Sequence, residues 1–284
     1  MKRSRYHHLL NTADQITNTS ALKARQIAFI PRLMATTSLP VRKTQAHEFI
    51  RRNGNRTLMM LASSEIGLPY GGIPRLALCA ITTLAKQSQS RMITLGPSMA
   101  QFLKLMGKSS TGGKNGSLTH TREQLKRLLS CTIQITEEDD QRWQMTSLRV
   151  AQRASILWHP TDTDHWQSTL TLTEEFFTHI QEYAIPVDQR VLHALGHYPL
   201  AMDIYCWLTY RYFSLTRITL IPWSCLINQF GNCYHREAHF RDNFTKALCR
   251  VQLFYPQAWI IITPVGVELH PSPTHIPTRD LFSC

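Results

Sequence analysis

The chain has 284 residues, which is enough for about two domains that each bury a core of their own. Hydrophobic residues make up 43% of it and aromatic residues 9%, values that exclude a wholly disordered chain. Lysine and arginine number 31 against 19 acidic residues, so the formal net charge is +12 and the pI is about 9.6. This balance indicates a polyanionic partner.

The positive charge is concentrated towards the N-terminus. Residues 1–56 have a net charge of +9 and residues 57–150 of +5, whereas residues 151–284 have −2. We predict that residues 1–56 form an extended basic arm that is partly disordered. A membrane-surface segment is the alternative, and it is disfavoured because the charges do not share one helical face.

The N-terminus lacks the apolar core of a secretory signal, and no apolar run approaches the roughly 18 residues of a membrane span. The seven cysteines are scattered and odd in number. We therefore expect a cytoplasmic protein with reduced thiols and no membrane contact.

Four prolines mark the expected starts of helices, because the first helical turn does not need the N–H that proline lacks. Apolar residues recur at helical spacing over 77–84 and 200–208, which predicts two core helices. The four prolines are Pro74, Pro97, Pro199 and Pro222.

The two halves of the chain form a pseudo-repeat with an offset of about 125 residues. The segment 93–97 (Ile-Thr-Leu-Gly-Pro) aligns with 218–222 (Ile-Thr-Leu-Ile-Pro). Each half predicts the order helix, short strand, helix, helix, hairpin, which is typical of a winged helix. The hairpin strands are predicted within 131–135 and 143–150 in the first half, and within 252–262 and 266–269 in the second.

The predicted fold is therefore α+β, with tandem winged-helix domains behind the basic arm. The first domain covers 57–183, including a connecting helix that begins after Thr173, and the second covers 184–272. A loop is predicted at 159–164, and the tail 273–284 has no interpretation.

The third helix of the second domain has a stripe of residues that suits DNA. In a helical projection its apolar side consists of Phe240, Phe244, Ala247, Leu248 and Val251. The opposite arc carries Arg236, His239, Asn243, Lys246 and Arg250, and Arg241 is a further candidate contact. Arginine can donate two hydrogen bonds to guanine and asparagine can pair with adenine, so we predict base reading here. The alternative is a solvated basic helix face.

The corresponding helix of the first domain is predicted to begin at Thr121, because Thr121 and Gln124 have capping-box spacing. Its outward arc also contains Glu123 and Gln124, and the mixed charge favours phosphate contacts or a protein interface over base reading. The candidate DNA contacts of this domain are Lys114, His120, Arg122, Lys126 and Arg127.

Three chemical motifs are considered and set aside. Gly107-Lys108-Ser109 resembles part of a phosphate-binding loop, but position 102 is Phe where that motif requires Gly. Asp162 and Asp164 stand in a loop without a third carboxylate, and the cysteines and histidines of 225–239 lack the paired spacing of a zinc site. We predict no metal, no cofactor and no catalytic residue.

Several segments resemble the RepA-type replication initiators that plasmids of Gram-negative bacteria encode. The resemblance extends over about residues 25–272. It is carried by 67–76 (GLPYGGIPRL), 112–116 (GGKNG), 122–128 (REQLKRL), 185–188 (IPVD), 201–211 (AMDIYCWLTYR), 221–223 (IPW), 229–231 (QFG) and 255–256 (YP).

The resemblance implies a function at a plasmid origin. It implies binding to repeated sites in double-stranded origin DNA, opening of an adjacent A·T-rich stretch, and recruitment of the host initiator protein and replicative helicase. In related initiators one domain reads the repeats, while the other supports dimerisation and backbone contacts, so a homodimer is also implied. The alternative is a DNA-binding transcriptional repressor without initiator activity, and a more distant one is a primase or nicking enzyme.

Overall fold

The computed structural model describes residues 2–96, 98–109, 111, 116–156, 168–231, 234 and 236–277, and side chains from residue 6 onward. Its helices are α1 (Lys2–Thr17), α2 (Leu33–Thr36), α3 (Gly72–Ser88), α4 (Met99–Leu105), α5 (Ser117–Ser130), α6 (Glu174–Tyr183), α7 (Gln189–Ala194), α8 (Pro199–Ser214), α9 (Trp223–Phe230) and α10 (Glu237–Gln252). Its strands are β1 (Ile27–Ile30), β2 (Glu48–Asn53), β3 (Arg56–Leu61), β4 (Met92–Thr94), β5 (Thr132–Glu138), β6 (Trp143–Leu148), β7 (Ala151–Ser155), β8 (Thr169–Leu172), β9 (Ile185–Asp188), β10 (Thr219–Pro222), β11 (Ile260–Ile262) and β12 (Gly266–Leu269). The chain is thus a mixture of helices and antiparallel strand pairs, as predicted.

The chain divides into two compact units. The central unit comprises residues 29–32 and 39–184, and the terminal unit comprises residues 1–28, 33–38 and 185–284.

The prediction of an extended arm over residues 1–56 is wrong for the part of it that the structure describes. α1 buries Leu9, Ala13 and Ile16 and packs against α7 within the terminal unit. β2 and β3 belong to a sheet of the central unit. The prediction gave weight to the basic residues and overlooked the apolar residues at every third or fourth position of α1. Because the segment is folded, much of its charge lies on helices and strands.

α3 is the core helix of the central unit. All of its residues from 73 to 83 are buried, so it has no solvent-facing side over this length. Arg75 is fully buried among them, and its guanidinium donates to the carbonyl oxygens of Gly71 (2.6 Å) and Leu39 (2.7 Å). The arginine thereby ties the segment before β2 to the start of α3.

The central unit contains two sheets, with strand orders β2-β3-β5-β6 and β4-β8-β7. The hairpin predicted over 131–150 is present as β5 and β6, but it pairs with β3 and not with β4. The strand that pairs with β4 is β8, which also pairs with β7. The β7–β8 hairpin therefore takes the position that the repeat had assigned to β5–β6.

The terminal unit has the predicted order of elements in α8, β10, α9, α10, β11 and β12. Its sheet has the strand order β10-β12-β11, with the last strand in the middle. The sheet β4-β8-β7 of the central unit has the same arrangement, and α3, α4 and α5 occupy the corresponding places in the chain. The pseudo-repeat is therefore present in the strand pairing as well as in the sequence.

Four of the predicted helix starts are confirmed and one is wrong. Pro74 lies in the first turn of α3, and Pro222 directly precedes Trp223, the first residue of α9. Thr173 caps α6 by accepting a hydrogen bond from the Phe176 amide (3.3 Å), and α8 begins at Pro199. α5 begins four residues before the predicted Thr121. Pro97, the loop predicted at 159–164 and the tail from residue 278 lie outside the described residues.

Candidate nucleic-acid interface

An aromatic cluster holds α10 in the terminal unit. Phe240 and Phe244 are fully buried on the inner side of α10, with their ring centroids 5.5 Å apart. Trp223 and Phe230 of α9 pack against Phe244 at centroid distances of 5.9 and 5.7 Å. The predicted apolar side of this helix is thus confirmed as buried, together with Ala247, Leu248 and Val251.

The predicted DNA-reading stripe lies on the other side of α10. Arg236, His239, Asn243 and Lys246 are exposed, and Arg250 is half-buried. Arg236 is the N-cap residue, so the stripe extends from the start of α10 to its last turn. A helix that buries one side so completely presents the stripe in a fixed orientation.

Two ion pairs run along the exposed surface of α10. Lys246 Nζ lies 2.6 Å from Asp242 Oδ2, and Arg241 pairs with Glu237 one turn earlier. Exposed pairs of this kind contribute about 0–1 kcal/mol, so a phosphate group can replace either carboxylate at small cost.

Two arginines of the predicted set also pack on aromatic rings. The Arg250 guanidinium lies 4.6 Å from the Tyr198 ring centroid, and that of Arg241 lies 5.3 Å from the Trp223 centroid. These contacts restrict both guanidinium groups, so each arginine has a structural task in addition to its predicted one. Arg236 and Asn243, which are also of residue types that read bases, are more exposed than these two arginines.

Trp223 connects α10 with the β11–β12 hairpin. Its backbone amide donates to the Val265 carbonyl oxygen (3.1 Å), and its indole Nε1 donates to the Thr263 carbonyl oxygen (3.2 Å). The same ring packs edge-on against Phe240 at a centroid distance of 6.4 Å. The hairpin tip and the stripe of α10 are therefore positioned by one residue.

The candidate contacts on α5 are only partly at the surface. His120, Arg122 and Lys126 are exposed. Gln124 was predicted to share their arc, but it is fully buried. Its Oε1 accepts a hydrogen bond from the Tyr70 amide (2.8 Å), which offsets the cost of burying this polar group. Lys114 lies outside the described residues.

Arg127 has internal contacts that the sequence did not predict. Its side chain is 12% exposed, pairs with Glu123 (2.9 Å) and donates to the Leu68 carbonyl oxygen (3.2 Å). Its guanidinium also lies 5.6 Å from the Tyr70 ring centroid. These contacts join α5 to the segment before α3.

Sequence reasoning missed a second basic surface in the central unit. Arg91, Gln152 and Arg153 line a groove of about 710 Å³ beside the β7–β8 hairpin, and Arg149 is exposed where β6 leads into β7. The strand register shifts between Ala151 and Arg153, which breaks the period-two pattern that reveals a strand. The signal that identifies this hairpin is the antiparallel pairing of β8 with β4. The local sequence does not show which strands pair, so sequence reasoning could not use it.

Comparison with known families gives an assignment. Residues 68–221, which are just over half of the chain, match the sequence model of a family described as plasmid-encoded RepA protein. The chain belongs to this RepA family. The membership supports a role in initiating plasmid replication. The matched range ends within β10, so α10 of this RepA-family protein lies outside it.

Two crystal structures of RctB domains have a similar fold. One, of selenomethionine derivatives of domains 2 and 3, has a TM-score of 0.57 and 13% identity, and the match covers 84% of this chain and 97% of that one. The other, of domains 2–3, has a TM-score of 0.52 and 14% identity, with 83% and 94% covered. At this identity the likeness is one of fold. No curated protein matches the sequence.

Among the residues that the structure describes, no helix combines the length and the apolar character needed to cross a bilayer.

Proposed function

We propose that this RepA-family protein binds repeated double-stranded sites at its plasmid origin through the exposed stripe of α10. The observation that carries the proposal is the combination of a deeply buried aromatic side with an exposed side that bears Arg236, His239, Asn243 and Lys246. Arginine and asparagine have the donor and acceptor geometry that base edges require.

The arrangement of the terminal unit supports a winged-helix mode of binding. In that mode the helix before the hairpin enters the major groove, and the hairpin lies beside it. α10 is the helix before the β11–β12 hairpin, and Trp223 links the two elements. The central unit, with the same order of elements in α3, β4, α4, α5 and β7–β8, is proposed as a second winged helix.

The central unit is proposed to supply contacts to phosphates. Arg122 and Lys126 of α5 are exposed, and the exposed Arg149 and Arg153 add charge near the β7–β8 hairpin. Such contacts raise affinity for any DNA without selecting a sequence. A homodimer that represses its own gene is compatible with this division.

Strand opening is proposed to be driven by binding and bending of the DNA, without a catalytic step. The opened A·T-rich stretch and the bound protein then recruit the host initiator protein and the replicative helicase. The runner-up function is a transcriptional repressor that recruits no replication proteins.

The first experiment is nuclease protection of the DNA that flanks the gene on its plasmid. We expect protection of repeated sites by the wild type, and a loss of about 1–3 kcal/mol of binding free energy in Arg236→Gln. Arg217→Gln is the matched control, because it removes one charge from another exposed position of the same unit. Equal losses in the two variants, or no protected repeats, would contradict the proposal.

A replication assay separates an initiator from a repressor. We expect a plasmid that carries the origin and the gene to be lost when Lys246 and Arg250 are both changed to Gln, provided that circular dichroism shows a folded variant. Stable replication with this variant would exclude α10 as the reading element. Wild-type protein that represses its promoter but does not support the origin in trans would favour the repressor, and nicking or nucleotide incorporation by purified protein would favour an enzyme.

A further inference from the structure

The β11–β12 hairpin has no basic residue with which to hold phosphates. From residue 251 to residue 278 the sequence contains neither lysine nor arginine. The two strands and the turn between them are apolar apart from Thr263 and Glu268. A hairpin of this composition cannot make the charged backbone contact that a wing beside a reading helix is expected to make.

The tip of this hairpin exposes apolar side chains. Val265 is 62% exposed and Ile262 is 41% exposed, and Pro264 between them is also exposed. A soluble protein seldom places valine and proline together at the end of a projecting turn unless something covers them.

The tip is also rigid. The Thr263 amide donates to the Gly266 carbonyl oxygen (2.9 Å), and the Gly266 amide donates to Thr263 Oγ1 (3.1 Å), which closes the turn. Two hydrogen bonds from Trp223 hold the carbonyl groups of Thr263 and Val265. A methyl group on Gly266 would lie 2.2 Å from the Ile221 carbonyl oxygen, so only glycine permits this approach of the strands.

Positive charge lies directly beside the tip. The Arg241 guanidinium, which pairs with Glu237, lies over the ring of Trp223, the residue that holds the tip, and the exposed cations of the stripe follow along α10. An apolar protein partner would gain nothing from this charge, whereas DNA would contact both the charge and the apolar tip. The tip is also small, at three residues, which fits a space between base steps better than a protein interface.

We propose that Pro264 and Val265 form an apolar wedge that enters the minor groove beside the α10 site, partly unstacks a base step and kinks the duplex. Apolar side chains that insert in this way bend DNA by about 20–90°. The inference rests on the proposed DNA binding by α10. It assigns the wing to deformation of the DNA and leaves phosphate contacts to other surfaces.

The test measures bending and binding separately with the full chain and a duplex that contains one protected repeat. Energy transfer between dyes at the two ends reports the bend, and 2-aminopurine placed at successive steps beside the repeat reports unstacking. We expect a bend and a local rise in 2-aminopurine fluorescence with the wild type. In Val265→Ala the bend should fall by at least half and the fluorescence rise should disappear, while the protected sequence stays the same.

Ile261→Ala is the matched control, because Ile261 is 41% exposed within β11 and lies outside the turn 263–265. A second variant, Val265→Ser, retains a small side chain and should behave as Val265→Ala does; thermal melts establish that both are folded. Unchanged bending in both Val265 variants, or binding by the wild type without a bend, would overturn the wedge and leave the α10 site intact. Wild-type protein that binds no repeat would overturn both proposals. A bend that Val265→Ala and Ile261→Ala reduce equally would overturn the wedge, because the effect would then not depend on the tip.

Discussion

The two units repeat one order of elements but differ in where they carry charge. In the central unit, Arg153 in β7 and Arg149 just before it are exposed. Arg127 of α5, the third helix of that unit, makes internal contacts instead of facing solvent. In the terminal unit the β11–β12 hairpin has no basic residue, and α10 exposes most of its polar side. This difference underlies the proposal that the central unit makes charge-based contacts with any DNA, whereas the terminal unit recognises particular bases.

The helices that begin the repeated order of elements, α3 and α8, also differ at equivalent positions. Pro74 aligns with Pro199, so Arg75 of α3 corresponds to Leu200 of α8. Arg75 is fully buried and hydrogen-bonded to backbone carbonyl groups, whereas Leu200 is 8% exposed and apolar. The central unit therefore depends on a buried cation that the terminal unit does not need.

The largest expected effect is on the stability of the central unit, when Arg75 of α3 is replaced by leucine, the residue at the equivalent position of α8. Arg75→Leu would leave the carbonyl oxygens of Leu39 and Gly71 buried without this donor, so we expect the free energy of unfolding to fall by about 3 kcal/mol. Urea unfolding measures the change. Arg122→Leu is the control, since it removes an exposed arginine of the same unit and should change stability by no more than about 0.5 kcal/mol.

The next effect concerns recognition of bases by the terminal unit. In the wild type, changing the base pair that Asn243 reads should cost about 1–3 kcal/mol of binding free energy. In Asn243→Ala the same base change should cost almost nothing, because the discriminating side chain is gone. Affinities for single-base variants of the protected repeat measure this, and an unaltered preference at every position would exclude Asn243 as a reading residue.

A smaller effect is expected from the cations of the central unit. Arg122→Gln and Lys126→Gln should each weaken binding to all sequences alike and reduce the slope of log K against log salt by about one. Titrations at several salt concentrations, with the repeat and with unrelated DNA, give both quantities. A loss confined to the repeat would mean that α5 also reads sequence, and the division between the units would fail.

The smallest effect is a pH dependence that each unit contributes through one histidine. Burial lowers the pKa of His275 in the terminal unit, against an opposing effect of Asp188. Burial also lowers the pKa of His179 in the central unit, and Arg32 and Arg56 act in the same direction. Between each lowered pKa and the ordinary value of 6.5 the unfolded chain binds more protons than the folded one, so stability is complete above that range and falls as the pH falls through it.

Melting temperatures between pH 7.5 and pH 5 measure this dependence. His275→Gln keeps an acceptor for the Tyr205 hydroxyl, which lies 2.7 Å from His275 Nδ1, and it should flatten the profile. His179→Gln should flatten it less, because that ring is less deeply buried than the ring of His275. A wild-type slope that survives in both variants would show that other groups cause it.

The sequence predicted best what depends on local periodicity. The buried side of α10 and the cap at Thr173 follow from spacing within a few residues, and the structure agrees with both. Gln124 could not be predicted in the same way, because a glutamine is buried only where a distant donor such as the Tyr70 amide meets it. The pairing of β5 with β3 depends on a strand more than seventy residues earlier in the chain, which no local pattern reveals.

The prediction of an extended arm over residues 1–56 was wrong for a different reason. The composition of this segment resembles that of a disordered tail, since charge dominates it, but three apolar residues on α1 are enough to fold it against α7. Composition averages over a segment, whereas burial depends on which positions carry the apolar residues.

The folded state of this segment determines how its charge can act. A tethered disordered arm would search a volume around the protein and settle on whichever phosphates it met first. Lysines and arginines that are attached to helices and strands keep fixed spacings, so they can match a groove or fail to match it. Removing residues 1–56 would therefore take away not an accessory but α1 and α2 of the terminal unit and β2 of the central unit.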